Sequence, residues 1–376
     1  MKKKSTTQRY YALDILRGMT IALMIMVNNP GSWSHIYPPL KHAAWHGFTP
    51  TDWVFPSFLF VVGTAMSFSL RKYETMGNGL ILRKIFKRAG MIFLIGLLLN
   101  AFPFVYRADD GITLKNLANI RIMGVLQRIA LCYLFASLII HYLKLKKSVI
   151  VGALILLAYW AIMYFFGSSP TPFSLENNAA LKFDNLIFRP ENIYRGFGIP
   201  FDPEGLLSTL TATVNVIAGY AAGVFVQKSG NQIKTVLKLI ASGIVLIILA
   251  LIWDIYFPIN KPIWTSSYVL YSTGWTLMVL AILIYIIELL NLKKWAYFFE
   301  AFGKNPLFIF VMSGVFAKLL GLIRINGASL HSWLYKNLYL SWLSEVNASL
   351  AFAISFIAVM WLLGYVLDKK KIYIKV

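Results

Sequence analysis

The sequence predicts an all-α, polytopic membrane protein: a bundle of about ten transmembrane helices with both termini in the cytoplasm. Three observations carry that prediction. The 376 residues are 58% hydrophobic and only 14% charged, whereas soluble proteins carry about 25% charged residues. The apolar residues gather in repeated runs of roughly 18–25, each long enough to cross a hydrocarbon core about 30 Å thick. The basic residues fall in short clusters between those runs, dense in one connection and sparse in the next.

Taken in order, the runs cover roughly 11–29, 52–70, 84–103, 122–143, 148–166, 206–227, 234–253, 266–289, 305–322 and 347–367. They are too long for barrel strands, and lipid leaves helices as the only other way to satisfy the backbone. One set of connections holds Lys2, Lys3, Lys4 and Arg9, then Arg71, Lys72 and the Arg83–Arg88 cluster, then Lys144, Lys146 and Lys147. The same set continues with Lys228, Lys234, Lys238, Lys293, Lys294, Lys304 and the lysines from Lys369 to Lys375. The alternate connections are poorer in such residues. Cytoplasmic loops carry the excess of lysine and arginine, so both termini are expected inside and the Asn28–Asp52 connection outside.

That segregation accounts for the formal net charge of +21 without nucleic acid, which is excluded as a partner. The single Cys132 lies in an apolar run, so no intramolecular disulfide is expected. The N-terminal MKKKSTTQRYYALDILRG lacks a small-residue cleavage site and is expected to be a retained first span. One domain is expected over 1–376, with outward segments 30–51, 167–205 and 323–346 capping the outer mouth. The segment 167–205 is rich in Pro, Asn, Gly and aromatics, as a folded cap would be. The segment 323–346 carries Trp333, Tyr335, Tyr339 and Trp342, residues suited to a membrane surface.

Chemistry concentrates in the stretch NNPGSWSHIYPPLKHAAWHGFTPTDWVFP, residues 28–56, which holds three of the five histidines. A polar cluster pinned between two spans is a candidate site. His42 is the leading general base, since a neutral imidazole accepts a proton near pH 7. Asp52 stands at the start of the next run, where its carboxylate would orient His42 or stabilise its charged form. His35 and His46 are rivals, and all three could instead be ordinary interfacial loop histidines. The H-x6-H-x3-H spacing is a weak zinc pattern, so no metal is expected. Asn28 either donates to an oxyanion or simply ends a helix before Pro30. Asp14 and Arg17, one turn apart, read as an ion pair or as an anion site. Gln127 and Arg128 lie inside an apolar run, where an arginine usually faces a polar interior. Asp202-Pro203-Glu204-Gly205 reads as the start of the sixth run, and Gly303-Lys304-Asn305-Pro306 as a polar helix start able to hold an anion. Residue physics alone leaves an enzyme and a permease both open.

The blocks ALDILRG, VNN, KHAAWHGFTPTDWVFPSFLFVVG, GVLQRI, FDPEGLLSTLTA, PINKPIWTSSYVL and GKNPL, in that order, resemble the heparan-α-glucosaminide N-acetyltransferase family. The resemblance covers nearly the whole chain. It implies a transmembrane bundle that takes acetyl-CoA from the cytoplasm and acetylates a glucosamine amine on the far side. It further implies catalytic roles for His42 and Asn28. CoA would be held by Arg17 with Asp14, by Arg83, Lys84 and Arg88, and by Lys304 with Asn305. On the acceptor side Asp52, Trp45, Gln127, Arg128, Lys261 and Trp264 are expected. Expected partners are acetyl-CoA, an amino-sugar or glycan acceptor, the bilayer and, as one option, a second copy of the chain. The sequence departs from the family at Asn29, where an aromatic is expected, and lacks the animal enzymes' long lumenal N-terminal region. Those departures point to a bacterial inner-membrane protein. Competing functions are O-acetylation of a surface polysaccharide and a sugar or muropeptide permease; an internal repeat, which would favour the permease, is not found.

Overall fold

The computed structural model describes residues 10–70, 77–108 and 111–374. Lys2, Lys3, Lys4, Arg9, Arg71, Lys72 and Lys375, part of the charge pattern above, lie outside the described residues. The chain folds mainly into helices: α1 (Tyr11–Asn28), α2 (Pro50–Ser69), α3 (Asn78–Ala101), α4 (Val125–Phe166), α5 (Ala179–Ile187) and α6 (Thr209–Ser229). There follow α7 (Ile233–Asp254), α8 (Ser266–Leu283), α9 (Tyr297–Lys304), α10 (Pro306–Leu322), α11 (Leu330–Leu334) and α12 (Glu345–Lys369). Two small antiparallel hairpins interrupt the helical pattern, β1–β2 (Val105–Ala108 with Gly111–Leu114) and β3–β4 (Arg324–Ile325 with Ala328–Ser329). Both sit in connections between long helices, where no apolar periodicity signalled them.

Among the described residues, seven helices are long and apolar enough to cross a membrane, or eight if the bent pair ending at Lys304 and beginning at Pro306 is one span. The chain is therefore a multi-pass membrane protein. Ten apolar runs were expected, and two features account for the different count. Lys144, at φ 60°, breaks the 42-residue α4 into two halves that match the runs at 122–143 and 148–166. In α3, Arg83, Lys84, Lys87 and Arg88 occupy the first turns, so the helix begins well before its apolar part. Pro306 takes the first position of α10, which turns 77° from α9.

The bundle is organised around α2, 83% of whose span is buried, against 28% for α7 and α12. The exposed face of α7 presents Ile244, Ile248 and Leu251, a surface suited to lipid. Two close helix approaches depend on glycine. A Cβ at Gly63 of α2 would lie 1.9 Å from the Val216 carbonyl oxygen of α6, and one at Gly219 of α6 would lie 1.8 Å from that of Phe60. Small residues let helix backbones meet in this way, where lipid offers no hydrophobic drive of its own.

Candidate active site

The start of α2 explains the site. Thr49 is its N-cap, Pro50 its first helical residue and Asp52 its third, a capping box with proline where it fits. The Asp52 side chain is buried, 1% exposed, and its two oxygens do different work. Oδ2 accepts the backbone N–H groups of Thr49 (3.1 Å) and Ala43 (3.0 Å) and lies 3.0 Å from the Thr49 hydroxyl. Oδ1 faces Nδ1 of His42 at 2.6 Å. A proton on Nδ1 would be donated to the ionised Asp52 and would leave Nε2 of His42 free to accept. His42 is 45% exposed and reaches the cavity described below.

Lys261 completes this cluster. Its ammonium lies 3.5 Å from Asp52 Oδ1 and 3.1 Å from His42 Nδ1. It projects from the connection between α7 and α8, where the Asn260 side chain binds the Trp45 carbonyl (2.9 Å) and receives Ile263 N–H (2.9 Å). Burial pulls the Lys261 ammonium below the usual lysine range, although Asp52 and Glu204 act in the opposite sense.

A cavity of about 470 Å³ opens at this end of the bundle, lined by Asn28, His42, Asp52, Arg121, Glu204 and Lys261 among others. Asn28, the last residue of α1, is exposed there, and among the described residues its amide makes no hydrogen bond. The cavity can therefore offer a proton acceptor and an amide donor to one bound molecule. The geometry also separates the three loop histidines. His35 pairs through Nε2 with Glu345 at 2.9 Å, and His46 faces the Asn260 amide at 3.2 Å, so neither shares the buried carboxylate of His42.

Residues 9–188 match the family model described as heparan-alpha-glucosaminide N-acetyltransferase, catalytic. The chain resembles that family. It is 25% identical to heparan-alpha-glucosaminide N-acetyltransferase of Mus musculus, over 82% of this chain and 54% of the relative. Against the Homo sapiens protein of the same name it is 24% identical, over 82% of this chain and 53% of the relative. The chain thus spans about half the length of the curated relatives it matches.

Other residues expected to hold CoA or the acceptor fall elsewhere in the fold. Trp45 does not line the cavity; its indole N–H donates to the Phe173 carbonyl (2.9 Å) and its ring packs on Phe201, fastening the histidine loop to the 167–205 segment. Arg128 is fully buried, donates to Gly205 O (3.0 Å) and Ser208 Oγ, and stacks 4.7 Å from the Trp264 ring. Trp264 in turn donates to Asn215 Oδ1 (3.0 Å), so this pair braces α4 against α6 rather than facing the cavity. Gln127 is buried beside Gly96 and Gly124. Among the expected CoA ligands, Arg17 binds Asp14 (2.7 Å) and the Gly303 carbonyl (2.7 Å), and Lys304 binds Asp368 (2.8 Å) and Glu300 (3.0 Å). Asn305 holds the backbone of Ile372 and Ile374. Among the described residues none of these groups lines the His42 cavity, and Arg17 and Lys304 each have carboxylate partners. Arg83 and Lys84 are exposed on α3, and Arg88 lies over the Tyr133 ring at 4.8 Å.

Two features escaped the sequence. At the opposite end of the same α2–α6 pair lies a second cavity of about 620 Å³, bordered by Ser67, Asn78, His141, Lys144, Gln227 and Lys228. Arg121, 81 residues before Asp202 in the chain, pairs with Asp202 and Glu204, and Arg121 and Glu204 line the cavity that His42 reaches. Asp202 was expected to start the sixth helix. It instead accepts Glu204 N–H (2.9 Å) in a turn, and α6 begins at Thr209. A signal for the pairing existed, since acidic residues are scarce here and both partners lie in connections at one end of the bundle.

Proposed function

We propose that the chain is a single-domain membrane acyltransferase of ten crossings with both termini in the cytoplasm of a bacterial cell. It moves an acetyl group from cytoplasmic acetyl-CoA to a glucosamine-type amine on the outer side, where residues 30–51, 167–205 and 323–346 cap the mouth. What supports this reading is one arrangement. Asn28, from the end of α1, and the His42–Asp52 pair, from the loop and the start of α2, line a single cavity. The family likeness supplies the reaction class.

Nε2 of His42 accepts a proton from the acceptor amine as its nitrogen attacks the thioester carbonyl; the carbon–sulfur bond breaks, and the CoA sulfur leaves with the proton. The Asn28 amide donates to the oxygen that gains charge in this step. Asp52 keeps the proton on Nδ1 and so fixes which ring nitrogen is the base. Substrate CoA, with its phosphates, fits the cavity at the opposite end better than the paired Arg17 and Lys304, because Lys144, Lys228 and His141 border open space there.

The test is purified protein in proteoliposomes with radiolabelled acetyl-CoA and a panel of amino sugars and neutral sugars. Amino sugars should be labelled and His42→Ala should label none at unchanged expression. Full activity in His42→Ala ends the assignment; labelling of hydroxyls alone moves it to O-acetylation. Release of CoA before acceptor is added would place a covalent acetyl-His42 on the path instead of direct transfer.

A further inference from the structure

Part of the lining of the His42 cavity is charged in an unbalanced way. Arg121 donates Nε to Asp202 Oδ2 (2.9 Å) and Nη2 to both Asp202 Oδ1 (2.6 Å) and Glu204 Oε2 (2.5 Å). One guanidinium thus serves two carboxylates, and this wall keeps one net negative charge. The two acids are not equivalent. Asp202 is 2% exposed, accepts Glu204 N–H and does not line the cavity. Glu204 is 12% exposed and lines it. Its Oε1 has no hydrogen-bond partner among the described residues. Aromatic surface flanks it: Tyr194 lies under the Arg121 guanidinium at 4.6 Å, with Phe197 beside it and Trp33, 64% exposed, on the rim.

A carboxylate pinned through one oxygen, with the other turned to a cavity of aromatic faces, is built to take a cationic, ring-shaped ligand. On the His42 side, the Lys261 ammonium already offsets Asp52. That ammonium also feels Glu204, so the two carboxylates lining the cavity share it, and Glu204 keeps one oxygen, Oε1, without a hydrogen-bond partner among the described residues. We propose that Glu204 determines acceptor specificity by binding the ammonium of a protonated amino sugar through Oε1. The bound ammonium first gives one proton to Glu204 Oε1; the neutral amine then attacks the thioester, and His42 Nε2 takes its second proton and passes it to the departing CoA sulfur. Deepening the amino-sugar reading above, on which it rests, this assigns recognition of the amine to a residue outside the segment that matches the family model.

The experiment measures glucosamine binding by isothermal titration to the purified full chain without acetyl-CoA, beside steady-state kinetics. Glu204→Gln keeps the shape and the Arg121–Asp202 pair but loses the charge. It should weaken glucosamine binding and raise its KM by roughly 10- to 100-fold, the worth of one charge-assisted hydrogen bond, with the KM for acetyl-CoA unmoved. Glu204→Asp, which keeps the charge, should recover part of that loss, and binding of neutral glucose should be the same in all three proteins. Unchanged glucosamine affinity in Glu204→Gln overturns the assignment, as does an equal rise in both KM values, which would mean a general collapse of the cavity. If wild-type protein binds glucosamine through Glu204 yet transfers no acetyl group, the proposed function fails and this inference stands.

Discussion

Replacing Asp52 with Asn should abolish most of the activity by setting the wrong tautomer of His42, and the hydrogen bonds say why. Oδ2 receives the N–H groups of Ala43 and Thr49 and lies 3.0 Å from the Thr49 hydroxyl, whose single proton also has the Lys41 carbonyl at 2.7 Å. An asparagine amide has one accepting oxygen, and these donors claim it. The NH2 group is then forced towards His42 Nδ1 and the Lys261 ammonium. Nδ1 must accept, the ring proton moves to Nε2, and the nitrogen facing the cavity can no longer take a proton from the amine. A general base is worth about 10²–10⁴ in rate, and a wrong tautomer forfeits about as much. Stability should fall less, by about 1–3 kcal/mol, since neutral hydrogen bonds replace charge-assisted ones. The assay is the initial rate of label transfer at saturating acetyl-CoA and amino sugar, with melting followed on the same detergent preparation. A rate within about threefold of wild type would refute the tautomer account. So would a rate loss that disappears once the fraction folded is corrected for.

Further expectations follow from neighbouring groups. Asn28→Ala should lower kcat by about 10²–10³ with little change in either KM, if its amide serves the oxyanion; a change confined to KM contradicts that role. Lys261→Met removes the cation beside Asp52 and His42, so the acid limb of the pH–rate profile should move to higher pH; an unmoved limb shows that Lys261 does not act on the base. Asp184, in the outward segment, is buried, and burial outweighs its hydrogen bonds from Leu207 and Leu206 to push its carboxyl up to about 7. A carboxyl raised on folding contributes stability present below about pH 4 and lost as pH rises through 7. Asp184→Asn should therefore gain relative to wild type by about 4 kcal/mol between pH 4 and 8, read as the difference in melting temperature across that range. Gly219→Val places side-chain atoms against the Phe60 carbonyl and should destabilise the bundle by about 1–3 kcal/mol or more, seen as a lower melting temperature; an unchanged one would mean that α2 and α6 can separate freely.

Most long helices were readable because each crosses lipid as one apolar run. Tyr11–Asn28, Ile233–Asp254 and Glu345–Lys369 stand within about two residues of the runs that announced them. The start of α3 was not, because Asn78 to Lys84 is polar and a hydropathy window discards it although the backbone is already helical. The His42–Asp52 relation was legible at short range, ten residues apart and fixed by the T-P-T-D start of α2. The Arg121–Glu204 wall was not, because its partners approach only once α4 and α6 have packed. Arg128 shows the converse limit. An intramembrane arginine announces a polar interior, yet nothing local tells a brace on Trp264 and Gly205 from a ligand for substrate.

The two cavities share one feature that bears on how an acyl group and its acceptor could meet. Each is bounded by an end of the α2–α6 pair: Asp52 and Glu204 at one end, Ser67 and Gln227 at the other. Along that pair the backbones touch, at Gly63 against Val216 and at Gly219 against Phe60, and Gly223 lies against Ser67. Gln227 then donates to Ser67 at 2.6 Å at the mouth of the second cavity. Helices in such contact cannot slide without breaking several close approaches at once, so α2 acts as a strut of fixed length between the two openings. Asp52 links that strut to the chemistry, because its oxygens tie the first turn of α2 to His42. A donor entering beside Ser67 and an acceptor entering beside Glu204 would therefore meet a base whose position is set by the same helix that borders both entrances.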